Sequence, residues 1–277
     1  MEISMNMLNS RSWLFVPGDR PSLFSKAATS DADVVILDLE DAVAPADKAE
    51  AREQVARYTA DHPAYVRINA ADTEFHDADI ATLAAHGAAR GLVVPKVGTP
   101  HDIDRTVRQL GEDIPIVVLV ETAAGVENAA RLAAHPATVR LAFGSVDFGL
   151  DAGVLGDGEE MLYARSRLVI ASRAAGIAPP IDGVTTDLEN SRKTASDAMR
   201  ARRLGFGGKL CVHPRQVQWV NAAFMPSAEE IHWAERVVAA MKASGGSAVR
   251  VDGQMIDVPR WESARRILQG ASFSMKD

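Results

Sequence analysis

Pro115-Ile116-Val117-Val118-Leu119-Val120-Glu121 is an apolar run closed by an acid, and it is followed by the Ala-rich stretch Ala123–Ala134 and a second apolar run, Val139–Ser145. A short, nearly continuous apolar run reads as a strand buried on both faces, the environment of a parallel sheet covered by helices. Strand, helix, strand in that order is a βαβ unit. The alternation extends both ways. Further strands are expected at Ser12–Gly18, Val34–Glu40, Ala64–Ala70 and Gly91–Val97 upstream, and at Pro179–Val184 and Gly207–His213 downstream. Helices are expected between them at Pro21–Ser30, Asp47–Asp61, Ala78–His86, Pro100–Leu110, Glu159–Ala175 and Asp187–Leu204, with Pro214–Ala223 after the last strand. Eight strand–helix pairs in strict alternation predict an α/β fold of the TIM (β/α)8 barrel type, and 277 residues is a usual length for one.

The pattern changes after the eighth pair. Ser227–Ala243 reads as a helix opened by a capping box, with Ser227 three residues before Glu230. Ser244-Gly245-Gly246-Ser247 is a break, and Ala248–Val258 is a hairpin turning at Asp252-Gly253. Arg260–Gln269 closes the chain as a last helix. The expected division is a catalytic barrel over residues 1–225 and a helix–hairpin–helix extension over 226–277. A closed barrel has no edge for the extension to join, so it reads as a lid, or as an arm packing on a neighbouring subunit.

A formal charge of −7 argues against nucleic acid or an anionic membrane as the main partner, because both select basic surfaces. The single cysteine, Cys211, excludes an intrachain disulfide; it lies in an apolar strand and reads as core. No apolar run approaches the roughly 20 residues that span a bilayer. The first ten residues lack the basic start of a secretory signal, so a reducing, cytoplasmic location is expected.

In a barrel of this kind the chemistry sits where strands end. Arg67 lies late in the third strand, Glu121 ends the fifth, and Asp147 follows the sixth, while the second ends in the cluster Asp38, Glu40 and Asp41. Carboxylates without soft ligands suit a hard cation such as Mg2+, which prefers oxygen and shares its shell with water and substrate. Glu121 and Asp147, on adjacent strands, are the candidate metal ligands, with Arg67 as an anion anchor whose planar fork matches a carboxylate. The alternative is a set of structural ion pairs closing the barrel mouth. Arg20 and Lys26 follow the first strand near a helix start, where a phosphate could bind; the plainer reading is two solvated cations. His213, ending the eighth strand beside Lys209, could be a base or a hydrogen-bonding residue.

Eight segments, in order, resemble one family: Leu14–Pro21 (Leu-Phe-Val-Pro-Gly-Asp-Arg-Pro), Leu37–Val43 (Leu-Asp-Leu-Glu-Asp-Ala-Val), Val66–Asn69, Pro95–Val97, Val120–Gly125, Asp147-Phe148, Cys211–Val217 and Val251–Asp257. The chain resembles the citrate lyase β-subunit and its relatives, the citramalyl-CoA and malyl-CoA lyases, within the HpcH/HpaI aldolase group. The resemblance implies that Glu121 and Asp147 bind Mg2+ and that Arg67 holds substrate oxygens. It further implies that Phe15, Arg20 and Lys26 contact coenzyme A, and that Asp257 enters the active site of a neighbouring protomer in a homo-oligomer, a trimer in many relatives. Asp38, Glu40 and Asp41 would form the surrounding shell.

The implied activity is Mg2+-dependent carbon–carbon cleavage of a small acyl-CoA thioester such as (3S)-citramalyl-CoA, giving acetyl-CoA and a 2-oxo acid such as pyruvate. Malyl-CoA lyases carry a longer segment after the sixth strand, whereas here only a short loop, Phe148–Gly158, is expected. That favours the citrate-lyase-like and citramalyl-CoA-like branch. Cleavage of a citryl group on a carrier protein, malyl-CoA cleavage, and a silent binding subunit on the same barrel are the competing readings.

Overall fold

A computed structural model describes residues 9–86, 89–110 and 114–273 of the chain. Eight parallel strands close into a barrel in sequence order. They are β1 (Ser12–Pro17), β2 (Val34–Asp38), β3 (Tyr65–Arg67), β4 (Gly91–Val94), β5 (Ile116–Val120), β6 (Thr138–Phe143), β7 (Ile181–Asp182) and β8 (Gly208–Cys211). The first and last meet, Leu14 pairing with Cys211. The expected (β/α)8 barrel is therefore the observed fold. By its contacts the chain divides into two compact units, Met1–Asn221 and Ala222–Asp277.

The period of two along a strand decides what the barrel encloses. Trp13 and Ile36, Tyr65 and Val93, Val117 and Leu119, and Ala142, Ile181 and Leu210 form one buried cluster, with Phe15 and Val34 packed against it. Two residues further along the same faces stand Asp38 after Ile36, Arg67 after Tyr65, and Glu121 after Leu119. The charged layer thus sits on an apolar plug at the C-terminal ends of the strands. Register then fixes neighbours: Pro17 pairs with Asp38, and Asp38 pairs with Arg67.

Three local differences from the sequence reading have physical causes. The stretch after β6 is not simply a loop, because Ser145–Ala152 is a helix that ends at Gly153 with φ +67°. Its Val146 and Leu150 are exposed, which hid its apolar periodicity. The helix expected over Ala123–Ala134 is two, Ala123–Glu127 and Ala129–Ala133, separated at Asn128, whose side-chain amide donates to the carbonyl of Gly98. The helix after β1 shrinks to a 3-10 turn, Pro21–Leu23, and Phe24–Ala28, because the Thr29 and Ser30 hydroxyls turn back onto the carbonyls of Ser25 and Ala27.

The second unit has its own core. Ala234, Val237 and Met241 from the helix Ala228–Ala243 surround Val251 and Ile256 of a hairpin, β9 (Val249–Val251) and β10 (Gln254–Ile256), together with Ala264 of the closing helix Val258–Phe273. The Ser227–Glu230 capping box forms as expected. Asp252 and Gly253 have φ of +50° and +79°, the left-handed pair of a type I′ turn. No helix among the described residues is long and apolar enough to cross a membrane.

Asp38 and Arg67 are buried, and losing one partner of such a pair leaves the other charge stranded. Asp38→Asn should therefore lower unfolding stability by about 3 kcal/mol, measured by urea titration.

Candidate active site

Arg67 enters the barrel mouth from β3 and is gripped by its neighbours. Its Nε and Nη2 donate to the two oxygens of Asp38 at 2.7 and 2.6 Å. Nη1 lies 2.9 Å from Glu40 and 3.6 Å from Asp41. Its guanidinium also lies over the Phe15 ring, 4.7 Å from the centroid. The fork expected to clasp a substrate carboxylate is thus already filled by the protein's own Asp38. Burial works against the charge, but Asp38, Glu40 and Glu121 outweigh it and hold the guanidinium pKa above its usual range.

Glu40 is shared. One oxygen faces Arg67, while the other accepts from Lys96 Nζ at 2.9 Å. Lys96 adopts a left-handed conformation, φ +53°, which is uncommon for a residue with a long side chain. That turn lets its backbone N–H donate to Glu121 Oε1 at 2.9 Å while its side chain reaches Glu40. Lys96 therefore links the β2 cluster to the β5 acid.

Glu121 is fully buried behind this lysine. A Cβ on Gly144 would lie 2.2 Å from Glu121 Oε2, so only glycine fits there. Gly144 begins the turn into the helix carrying Asp147, and its N–H returns to the carbonyl of Val120. One turn beyond Asp147, Asp151 accepts the N–H of Ala123 at 2.7 Å. These contacts hold the start of the Asp147 helix against the end of β5. The Glu121 carboxyl is pushed up to about 8 by burial first, then by the charges of Glu40 and Asp147, against the pull of Arg67 and the Lys96 N–H. The two candidate metal ligands are thus close enough for one to raise the other's pKa.

The charges do not balance. Asp38, Glu40, Asp41, Glu121 and Asp147 gather around three cations, Arg67, Lys96 and Lys48. The nearby Asp79 is matched by Arg52 at 2.7 Å. With all five carboxyls ionised the surplus is two negative charges, the charge of one divalent cation, and without that cation a proton on Glu121 takes up part of it. Among the described residues no three His, Cys, Asp or Glu side chains converge into a complete metal cage. Two carboxylates completed by water and substrate are the donor set Mg2+ favours, so the residues present fit that ion.

Most of the other residues singled out in the sequence have partners of their own. Arg20 is largely exposed, its nearest acid being Asp19 at 4.0 Å. Lys26 is exposed in the last turn of its short helix, not at a helix start. His213 Nδ1 accepts the backbone N–H of Arg215 and so caps the following helix. Lys209 is buried between Asp182 and the carbonyl of Gly183, away from the carboxylate cluster's hydrogen bonds. Asp257, in the second unit, accepts the N–H of Arg260 at 3.2 Å at the start of the last helix. Lys96, Gly144 and Asp151 were not singled out as site residues. Lys96 stands just past an apolar strand, as Glu121 does, and that signal was available.

A divalent ion bound at Glu121 would compete with a proton. With its carboxyl near 8, the protonated form dominates at lower pH, so the apparent Kd for Mg2+ should rise about tenfold for each pH unit below 8 and level off above it. Calorimetric titration from pH 6 to 9 measures this, and Glu121→Gln should abolish the trend.

Comparison with known proteins gives the family. The model of the HpcH/HpaI aldolase/citrate lyase family matches residues 11–214. The chain is 34% identical to the citrate lyase subunit beta of Leuconostoc mesenteroides, over 95% of this chain and 93% of that one. It is 33% identical to the L-malyl-CoA/beta-methylmalyl-CoA lyase of Rhodobacter capsulatus, over 96% and 95%. The structure superposes on the Mycobacterium tuberculosis protein CitE, solved in complex with magnesium, acetoacetate and coenzyme A, with a TM-score of 0.85 and 34% identity, covering 95% of this chain and 98% of that one. A closed barrel with acids clustered at its strand ends, and a match along almost its whole length, place this chain in the HpcH/HpaI aldolase/citrate lyase family.

Proposed function

We propose that this lyase cleaves a β-hydroxyacyl-CoA to acetyl-CoA and a 2-oxo acid, with (3S)-citramalyl-CoA and pyruvate as the first candidates, using Mg2+ held by Glu121 and Asp147. The observation that carries the reading is the surplus of two negative charges at the barrel mouth. Support comes from relatives named for citrate and malyl-CoA cleavage, and from the magnesium, acetoacetate and coenzyme A in the M. tuberculosis complex.

In such a cleavage the hydroxyl loses its proton, the carbon–carbon bond breaks, and its electron pair moves onto the thioester as an enolate. That enolate then takes a proton at carbon to become the acetyl group. When bound, Mg2+ supplies a Lewis acid for the oxygens of the hydroxy acid. The chain's own groups do the rest. Arg67, locked by Asp38 and Glu40, cannot swing to follow substrate. It acts as a fixed positive charge facing the thioester oxygen, preorganised for the enolate. Lys96 keeps Glu121 and Glu40 apart and oriented. Arg20 and Lys26, exposed just after β1, are the cations for the phosphates of coenzyme A, and Phe15 borders the same mouth. Asp257 of a neighbouring copy exchanges the proton at the acetyl carbon, one of its oxygens being held by the helix it caps.

The alignment with the malyl-CoA lyase runs over 304 positions against 283 for the citrate lyase subunit, so the former carries more inserted residues relative to this chain. This supports the shorter-looped, citrate-lyase-like branch.

The test is a panel of citramalyl-, malyl-, β-methylmalyl- and 3-hydroxy-3-methylglutaryl-CoA, free acids and carrier-bound citryl groups, assayed with and without Mg2+. We expect metal-dependent formation of acetyl-CoA and pyruvate from citramalyl-CoA. Glu121→Ala and Asp147→Ala should each lose about a hundredfold or more in rate with unchanged circular dichroism, and Asp257→Asn should lose rate while keeping its Mg2+ affinity. Release of coenzyme A with the hydroxy acid intact would mean hydrolysis instead. Metal binding without turnover of any substrate would mean a silent binding subunit.

A further inference from the structure

Lys48 is the first residue of the helix Lys48–Asp61, a place where a lysine ordinarily meets water, yet it is buried. Its ammonium has three N–H donors and finds three acceptors: the carbonyl of Leu39 at 2.8 Å, the carbonyl of Glu40 at 2.8 Å and Asn69 Oδ1 at 2.7 Å. The Phe75 ring stands 5.3 Å away. None of the three acceptors is charged. Two belong to the loop that carries Glu40, and the third lies two residues past Arg67. One ammonium thus ties the ends of β2 and β3 together beneath the carboxylate cluster.

Asn69 is the other half of the tie, and all its polar groups are used. Its backbone N–H and side-chain amide both donate to Asp79 Oδ2, at 2.8 and 2.7 Å. The amide also donates to the Leu39 carbonyl at 2.9 Å, while the backbone carbonyl of Asn69 accepts from His76 Nδ1 at 2.9 Å. Asp79 is in turn held by Arg52. The Lys48 ammonium and the Asn69 side chain have every donor and acceptor paired, so a shift of either strands a polar group away from water.

We propose that Lys48 is a positioning residue: through Asn69 it sets the height of the Glu40–Asp41 loop, so that Glu40 meets Arg67 and Lys96 at once. Lysine is needed because no other side chain offers three donors at one atom. The role in turnover rests on the lyase reading; the positioning itself does not.

The direct test is amide hydrogen exchange in the full-length chain. Lys48→Met, which keeps the length of the side chain and removes its donors, should speed exchange of the Glu40, Ala42 and Val43 amides by about tenfold or more, while amides of β5 and β8 keep their protection. Unchanged protection at those three amides in the folded variant would overturn the proposal. If Lys48→Met does not fold, Asn69→Ala takes away the third acceptor and should loosen the same amides, and unchanged protection there is equally fatal. Where citramalyl-CoA is turned over, Lys48→Met should lower kcat with little change in KM, and the loss should vanish in a Glu40→Gln background. Losses that simply add would assign Lys48 to general stability and overturn the positioning role. A wild-type chain that cleaves nothing refutes the lyase reading alone, since exchange still decides whether Lys48 holds the loop.

Discussion

The bidentate grip of Asp38 on Arg67 is the constraint from which the rest of the mouth is built. A guanidinium this deeply buried demands carboxylate partners, and the β2–β3 register supplies one directly opposite. Glu40 serves the side that Asp38 leaves open and passes its second oxygen to Lys96. Lys96 in turn hands its backbone N–H to Glu121. Four strands, β2 to β5, are thereby locked in sequence around the barrel, and Glu121 is left buried with the charge of Asp147 acting on it. The proposed divalent-ion site rests on this chain of pairs.

The same chain explains why the site is rigid. Arg67, Glu40 and Lys96 are each held on more than one side, and the loop beneath them is pinned through Lys48 and Asn69. Electrostatic stabilisation of an enolate depends on charges that do not have to move as the reaction proceeds. A guanidinium already committed to Asp38 gives up bidentate recognition of substrate and gains a fixed position.

Much of this was legible in the sequence, because strand ends are where an apolar period of two breaks off. Arg67 and Glu121 stood out as charges closing apolar runs, and Asp38 as the first of three acids. Lys96 obeyed the same rule but was hidden behind Pro95. Asp147 was visible as an acid, yet the helix carrying it was not, since Val146 and Leu150 face outward and blur its pattern. Gly144, within the expected strand Val139–Ser145, reads as strand, and only the position of Glu121 shows why nothing larger fits. Lys48 reads as a solvated helix residue because two of its three acceptors are backbone carbonyls, which leave no mark in a sequence. Asp257 shows in the structure as a helix cap, a role that any acid at that position could fill.

The central claim is that one divalent ion answers the two unmatched charges between the ends of β5 and β6. Crystals of the chain grown with Mn2+ in place of Mg2+, with diffraction recorded at the manganese absorption edge, test it most directly. The account predicts a single anomalous peak bonded to both Glu121 and Asp147, at about 2.0 to 2.2 Å from the carboxylate oxygens. A peak bound elsewhere, or Glu121 and Asp147 turned apart with no ion between them at saturating Mn2+, would contradict it.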